Sequence, residues 1–168
     1  MTSPHLNFII RPAVAEDAPA LLDLIRGIAE YEKLSHAVTN TEAAILKNGF
    51  GPDPFFRALL CQKTGEDRPV GFALYFFTYS TFTGKPTLYL EDLFVRPELR
   101  GSGFGKALFM ELVKIAREKG CGRMEWSVLD WNRPAIEFYR KLGARAMDGW
   151  TVFRLDETGL ANLDEQNA

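Results

Sequence analysis

The sequence predicts an α/β domain built on a mixed, mostly antiparallel sheet. Apolar residues recur at helical spacing in two stretches, Ala18 to Ala29 and Phe104 to Ala116. Between them lie three strand-like runs rich in aromatic and aliphatic residues, Phe55 to Gln62, Val70 to Tyr79 and Thr87 to Val95. Only short turn-forming segments join these runs, Thr64 to Pro69 and Thr83 to Pro86, so they are expected to form an antiparallel meander; a parallel return needs a long crossover. At 168 residues and 46% apolar content, the chain is long enough for one sizeable core and short for two. A single domain over residues 1–168 is expected, with its core at about 8–156.

The remaining elements follow in order. Phe8 to Arg11 is a short apolar run closed by Pro12 and reads as a first strand. Ala18, Leu21, Leu22, Ile25, Ile28 and Ala29 make one stripe of an amphipathic helix ending near Lys33. Thr39 to Lys47 predicts a second, short helix, with Asn48-Gly49 as its stop and Gly51-Pro52-Asp53-Pro54 as a loop. After the meander come Arg96-Pro97 and a glycine-rich loop. The helix that follows ends at Gly120. Met124 to Val128 predicts a strand, and Asn132-Arg133-Pro134 opens a short helix through Lys141, stopped by Leu142-Gly143. Trp150 to Leu155 predicts a final strand, and Asp164 to Ala168 is expected to fray.

Composition excludes several functional classes. Lys plus Arg total 20 against 22 for Asp plus Glu, so no basic surface stands ready for nucleic-acid phosphates or anionic lipid. Cys61 and Cys121 are far apart, which fits neither a disulfide framework nor metal-ligand spacing and points to a reducing cytoplasm. The longest apolar run, VGFALYFF, falls far short of the roughly 20 residues of a membrane helix, and MTSPHLNFIIR has no basic leader. A soluble, unexported protein is expected. His5 and His36 are the only histidines, and no HExxH or paired CxxC occurs, so no metal is expected.

The chemistry concentrates in Arg100-Gly101-Ser102-Gly103-Phe104-Gly105-Lys106, set between a strand and a helix. Such a loop brings backbone N–H groups to a helix N-terminus, where partial positive charge attracts a phosphate or pyrophosphate. A Walker A loop needs GxxxxGK followed by Ser or Thr; here the spacing is one residue short and Ala107 follows Lys106. A dinucleotide fingerprint follows the first strand of a parallel sheet, whereas this loop follows a meander and its third glycine comes early. Taken alone, the loop is either a cradle for another phosphate-bearing cofactor or a simple turn.

The surrounding residues separate these readings. Val95-Arg96-Pro97-Glu98-Leu99-Arg100-Gly101-Ser102-Gly103-Phe104-Gly105 resembles the V-x-P-x-x-R-G-x-G-x-G signature of the GNAT acetyltransferase superfamily. Asn132, Pro134, Ala135, Phe138, Tyr139 and Gly143 resemble that superfamily's N-x-x-A-x-x-x-Y segment. The resemblance implies a GNAT fold whose central strands splay to admit acetyl-CoA, with helices on both faces of the sheet. It assigns Leu93, Phe94 and Val95 to the pantetheine arm and Arg100, Gly101, Ser102, Gly103, Phe104, Gly105 and Lys106 to the pyrophosphate. Asn132, Arg133, Pro134, Ala135 and Tyr139 fall beside the cofactor thiol.

Within the superfamily, Ala29-Glu30-Tyr31-Glu32, Gly49-Phe50-Gly51, Phe76-Phe77-Thr78-Tyr79, Tyr89-Leu90-Glu91-Asp92 and Trp131-Asn132 are similar to diamine acetyltransferases of the spermidine/spermine and thialysine kind. The segment before Gly149-Trp150 departs from that group, being shorter and holding one acid, Asp148. The likeness implies a small cationic amine as acceptor, met by Tyr31, Glu32, Glu91, Asp92, Glu125, Trp126, Ser127, Asp148 and Trp150, and a homodimer. An alkylammonium near pKa 10.4 must lose a proton before it attacks a thioester, so a base is needed. Glu91 is expected to act as that base, on a strand face shared with Tyr89 and Leu93 and opposite Asp92; its bland alternative is a solvent-facing strand acid. Tyr139 falls at the general-acid position for the departing thiolate, and without the motif it would read as a core aromatic. Transfer to another amine, such as an amino acid, an aminoglycoside or a protein lysine, is the rival enzymatic reading. A non-catalytic acyl-CoA sensor is the rival from another class.

Overall fold

The computed structural model describes residues 7–166. The N-terminal stretch read for a leader, including His5, lies outside the described residues up to Leu6, as do Asn167 and Ala168 at the expected frayed end. Five strands, β1 (Phe8–Pro12), β2 (Arg57–Lys63), β3 (Pro69–Ser80), β4 (Lys85–Val95) and β5 (Arg123–Glu125), form one sheet in the order β1-β2-β3-β4-β5. The first four pair antiparallel and β5 pairs parallel to β4. The expected meander is β2 to β4. β5 runs parallel because the chain reaches it through a helical crossover, α3 (Phe104–Glu118).

Both faces of the sheet are covered. α1 (Ala18–Tyr31) and α2 (Glu42–Phe50) bring Ala18, Leu21, Leu22, Leu24 and Ile45 onto Ala58, Leu60, Phe72, Leu74 and Phe94. Leu59 and Cys61 alternate with Ala58 and Leu60 yet are equally buried, so they face the opposite side. There α3 presents Phe104, Leu108, Leu112 and Ala116 of the expected helical spacing, joined by Phe109. Each buried Leu or Phe side chain contributes about 1.5–3 kcal/mol, which makes these two layers the main source of stability.

Two elements end elsewhere than the sequence reading places them. α2 continues through Asn48-Gly49 to Phe50, capped by Thr41, whose hydroxyl accepts the Ala44 N–H at 3.1 Å. A helical glycine costs only about 1 kcal/mol. Phe50 offsets that by packing on the core and against Phe56, ring centroids 6.5 Å apart. The strand expected over Met124 to Val128 is reduced to Arg123–Glu125, paired with Thr87, Leu88 and Tyr89. From Leu90 onward β4 has no strand partner on that side among the described residues, and this divergence is the splay between the two parallel strands.

The chain divides into two compact units, Met1–Ser127 and Val128–Ala168. The second holds α4 (Arg133–Lys141), as predicted, and α5 (Glu157–Gln166), which sequence reasoning did not foresee. Asp156 accepts the Gly159 N–H at 2.8 Å and so starts α5, a local cap that is easily missed before a polar tail. Trp150 to Leu155, expected as a strand, is irregular. An extended segment becomes a strand only through ladder hydrogen bonds, and this one has none to a described strand.

Candidate active site

The pairing of β3 with β4 slips by one residue within the acidic pair. Leu74 lies opposite Asp92 and Tyr75 opposite Leu90, so Glu91 faces no residue of β3 and forms a β-bulge. The extra residue reverses the alternation. Tyr89 pairs with Phe76 and stacks on it at 5.1 Å, on the α1 side of the sheet, whereas Leu93 pairs with Ala73 on the α3 side. The single face expected for Tyr89, Glu91 and Leu93 is thus broken, and Glu91 stands exposed at the step.

Asp92 shares the α1 side with Leu74 and Phe94. Glu32, the C-cap that follows α1, lies near enough to affect its titration. Burial pushes the Asp92 carboxyl up to about 7, and the negative charges of Glu91 and Glu32 add to the effect. Burial also raises Glu32. Among the described residues no ion pair neutralises Glu32, Glu91 or Asp92. The structure therefore gathers three acids with no ion pair to a described cation, the same three that the family likeness assigns to the acceptor, Glu91 as base.

At the splay, the Tyr89 hydroxyl and Ser127 Oγ lie 3.2 Å apart, a bond across the widening gap that no sequence signal marks. Glu125 is paired to Arg123 at 3.0 Å, and Trp126 packs edge-on against Phe109 of α3 at 5.3 Å. Their side chains are thus engaged beside the gap. Tyr31 packs against the core, with the Arg100 guanidinium 3.9 Å from its ring centroid.

The glycine-rich loop begins where β4 ends. The Arg96 N–H donates to the Val70 carbonyl at 2.9 Å, so alternation turns the amides of Leu93 and Val95 toward the open edge of β4. Of those groups, the Val95 carbonyl accepts from Arg100 Nε at 3.2 Å. Arg96 itself is held to Asp23 of α1 at 2.5 Å, and the contact lowers the Asp23 carboxyl. After a single 3-10 turn, Pro97–Leu99, Gly101 and Gly103 take φ of 80° and 88°, a left-handed geometry that a side chain would strain. Gly103 caps α3 and brings no side chain to it; the first bond into the helix is from Ala107 N–H to the Gly103 carbonyl at 3.0 Å. The N–H groups of Phe104, Gly105 and Lys106 are therefore left for an anion. The Phe104 ring turns inward onto Phe8, centroids 4.8 Å apart, so only its backbone serves the loop. Ser102 and Lys106 are exposed.

In the second unit, buried Asn132 caps α4 by accepting the Ala135 N–H at 3.3 Å, with Pro134 in the first turn where its missing N–H costs nothing. Tyr139 lies in the last turn of α4, its ring 5.1 Å from that of Phe138, and its carbonyl receives the N–H groups of Leu142 and Ala144. Arg133, Asp148 and Trp150 are exposed.

A family model described as the acetyltransferase (GNAT) family matches residues 20–144. The chain is 41% identical over 166 residues to the thialysine N-epsilon-acetyltransferase of Sus scrofa, covering 94% of this chain and 97% of that protein. It is 37% identical over 164 residues to the spermidine/spermine N(1)-acetyltransferase-like protein 1 of Homo sapiens, covering 93% of this chain and 24% of that longer protein. An integron cassette protein of V. cholerae superposes with a TM-score of 0.80 at 22% identity, over 95% of this chain and 99% of its own, which shows a common fold. On the loop, the splayed sheet and these matches together, the chain belongs to the GNAT acetyltransferase family.

Proposed function

We propose that the protein transfers the acetyl group of acetyl-CoA to a primary amine of a small cationic acceptor, a diamine, polyamine or thialysine-like compound, in the cytoplasm. The observation that carries the choice of acceptor is the unneutralised set Glu32, Glu91 and Asp92 beside the open edge of β4. Carboxyls without an ion pair would attract a cationic acceptor, in agreement with the thialysine and spermidine/spermine names of the relatives. Acetyl-CoA supplies the thioester. Leu93 and Val95 offer amides to its pantetheine arm, and residues 100–106 offer N–H groups to its pyrophosphate. The family match runs across both compact units, which supports one transferase domain that includes Asn132 to Ala135 and Tyr139.

In this reading Glu91, exposed at the bulge, takes the ammonium proton through water, while Asp92 and Glu32 hold the cation. Tyr139 returns a proton to the departing sulfur. Burial holds the Cys61 thiol up at about 12 and also raises Cys121, which disfavours a cysteine thiolate as acetyl carrier and favours direct attack in a ternary complex. Asp148 and Trp150 extend the acceptor end, and a homodimer is proposed from the likeness to diamine acetyltransferases.

A diamine compared with a monoamine of matched length tests the acceptor. A second cation about 5 Å from a carboxylate gains on the order of 3 kcal/mol at an effective dielectric near 20, before screening and desolvation. If about 1–2 kcal/mol survives, kcat/KM favours the diamine by roughly 5- to 30-fold, less at high salt. Glu32→Gln and Asp92→Asn should shrink that ratio. Equal use of both amines, unchanged in either variant, would move the acceptor to another amine class.

A further inference from the structure

We infer that Tyr31 is a positioning residue for the cofactor loop and not a wall of the acceptor site: its ring holds the Arg100 guanidinium, and Arg100 holds the end of β4. The inference rests on reading residues 100–106 as the CoA cradle. Arg100 Cζ lies 3.9 Å from the Tyr31 ring centroid and 5.7 Å from that of Phe94. Its Nε donates to the Val95 carbonyl at 3.2 Å. One guanidinium thereby joins the last residue of α1, a core ring and the last carbonyl of β4, at the point where the loop begins.

The surroundings suit this role. Tyr31 packs against the core cluster that contains Phe94, so with a guanidinium over its face the ring offers little surface to a ligand. The position at the end of α1 also places the cation near a helix C-terminus, whose partial negative charge attracts it. A second tie, Asp23 of α1 to Arg96, holds the same junction about two turns earlier along α1. Between Arg100 and α3 the chain contains two positive-φ glycines, which would sample many conformations if the entry to the loop were loose. Ordering each loop residue costs about 1–2 kcal/mol, so a fixed entry point improves affinity by having the donors in place before the ligand arrives.

The test measures the CoA dissociation constant by calorimetry, together with kcat and both KM values, in wild type, Tyr31→Phe, Tyr31→Leu, Arg100→Lys and the Tyr31→Leu/Arg100→Lys double variant. Loss of the cation–π contact in Tyr31→Leu should weaken CoA about 2- to 10-fold and leave kcat and the amine KM within about twofold. Tyr31→Phe keeps the ring and should restore wild-type CoA affinity. Arg100→Lys should also weaken CoA, and the double variant should lose less than the two single losses summed, because both changes act on the shared Tyr31–Arg100 contact. Unchanged CoA affinity in Tyr31→Leu with a raised amine KM would make Tyr31 an acceptor wall and overturn the inference. Arg100→Lys changes an exposed residue and decides the matter if Tyr31→Leu folds poorly: wild-type CoA affinity there sinks the inference equally. Failure of the wild type to bind CoA would instead remove the cradle reading on which the inference rests.

Discussion

Asp92 and Glu91 are neighbours in sequence and opposites in environment. The bulge leaves Glu91 exposed and turns Asp92 beneath α1, where burial and two nearby acids raise its carboxyl to about 7. The sign of the stability effect follows. In the unfolded chain this carboxyl titrates near 3.9, so between roughly pH 4 and pH 7 the folded state binds the extra proton. Stability from this group is therefore full below about pH 4 and lost as pH rises toward 7. Asp92→Asn is expected to melt higher than wild type at pH 8, where the buried carboxylate is charged, with the advantage shrinking toward pH 4; a variant that gains nothing at pH 8 would show that folding does not raise the Asp92 carboxyl. Kinetically, kcat/KM for a cationic amine should rise with an apparent pKa of about 7 in wild type. In Asp92→Asn that limb should disappear, which a pH-rate profile checks.

At the scale of the element, the loop and the first turn of α3 act as one device. Gly103 caps the helix in left-handed geometry, φ 88°, and a side chain there costs about 1–2 kcal/mol. Gly65, in the turn between β2 and β3, has nearly the same geometry at φ 82° and open space around it. Gly103→Ala and Gly65→Ala should thus each lower stability by about 1–2 kcal/mol in denaturant melts. Only Gly103→Ala should weaken CoA, since only it disturbs the N–H groups aimed at the pyrophosphate. Equal CoA affinity in the two variants would place the anion elsewhere. The loop was legible in the sequence because glycine spacing records backbone geometry directly. The bulge was not, because a slip of register is a property of two strands and neither one carries a mark of it.

At the scale of the molecule, binding of the cosubstrate is linked to folding. A ligand at about 100 times its dissociation constant stabilises the folded state by about 2.7 kcal/mol. For a chain of this length that corresponds to a rise in Tm of roughly 5–10 °C. CoA and acetyl-CoA should produce this shift, and ATP and NAD should not, because the spacing of Gly101, Gly103 and Gly105 fits neither of their loops. A melt unmoved by millimolar CoA would contradict the cosubstrate assignment. The near balance of charge, 20 basic against 22 acidic residues, means that any steering of a cationic amine comes from the local acids around Asp92 and not from the net field.

What the sequence determined by itself are the features written in local signals. Helical periodicity marked α1 and α3, short turns marked the meander, and the Arg100 to Lys106 spacing marked the cradle, because each depends on residues a few positions apart. The tertiary structure alone decided the rest. It split Glu91 from Asp92, bound Arg100 to Tyr31, cut β5 to three residues opposite Thr87 to Tyr89, and left Trp150 to Leu155 without a ladder. In each case the deciding partner is distant in the chain or absent from the described sheet. A carboxylate is raised or a strand completed only by what packs against it, and that packing is settled when the whole fold is in place.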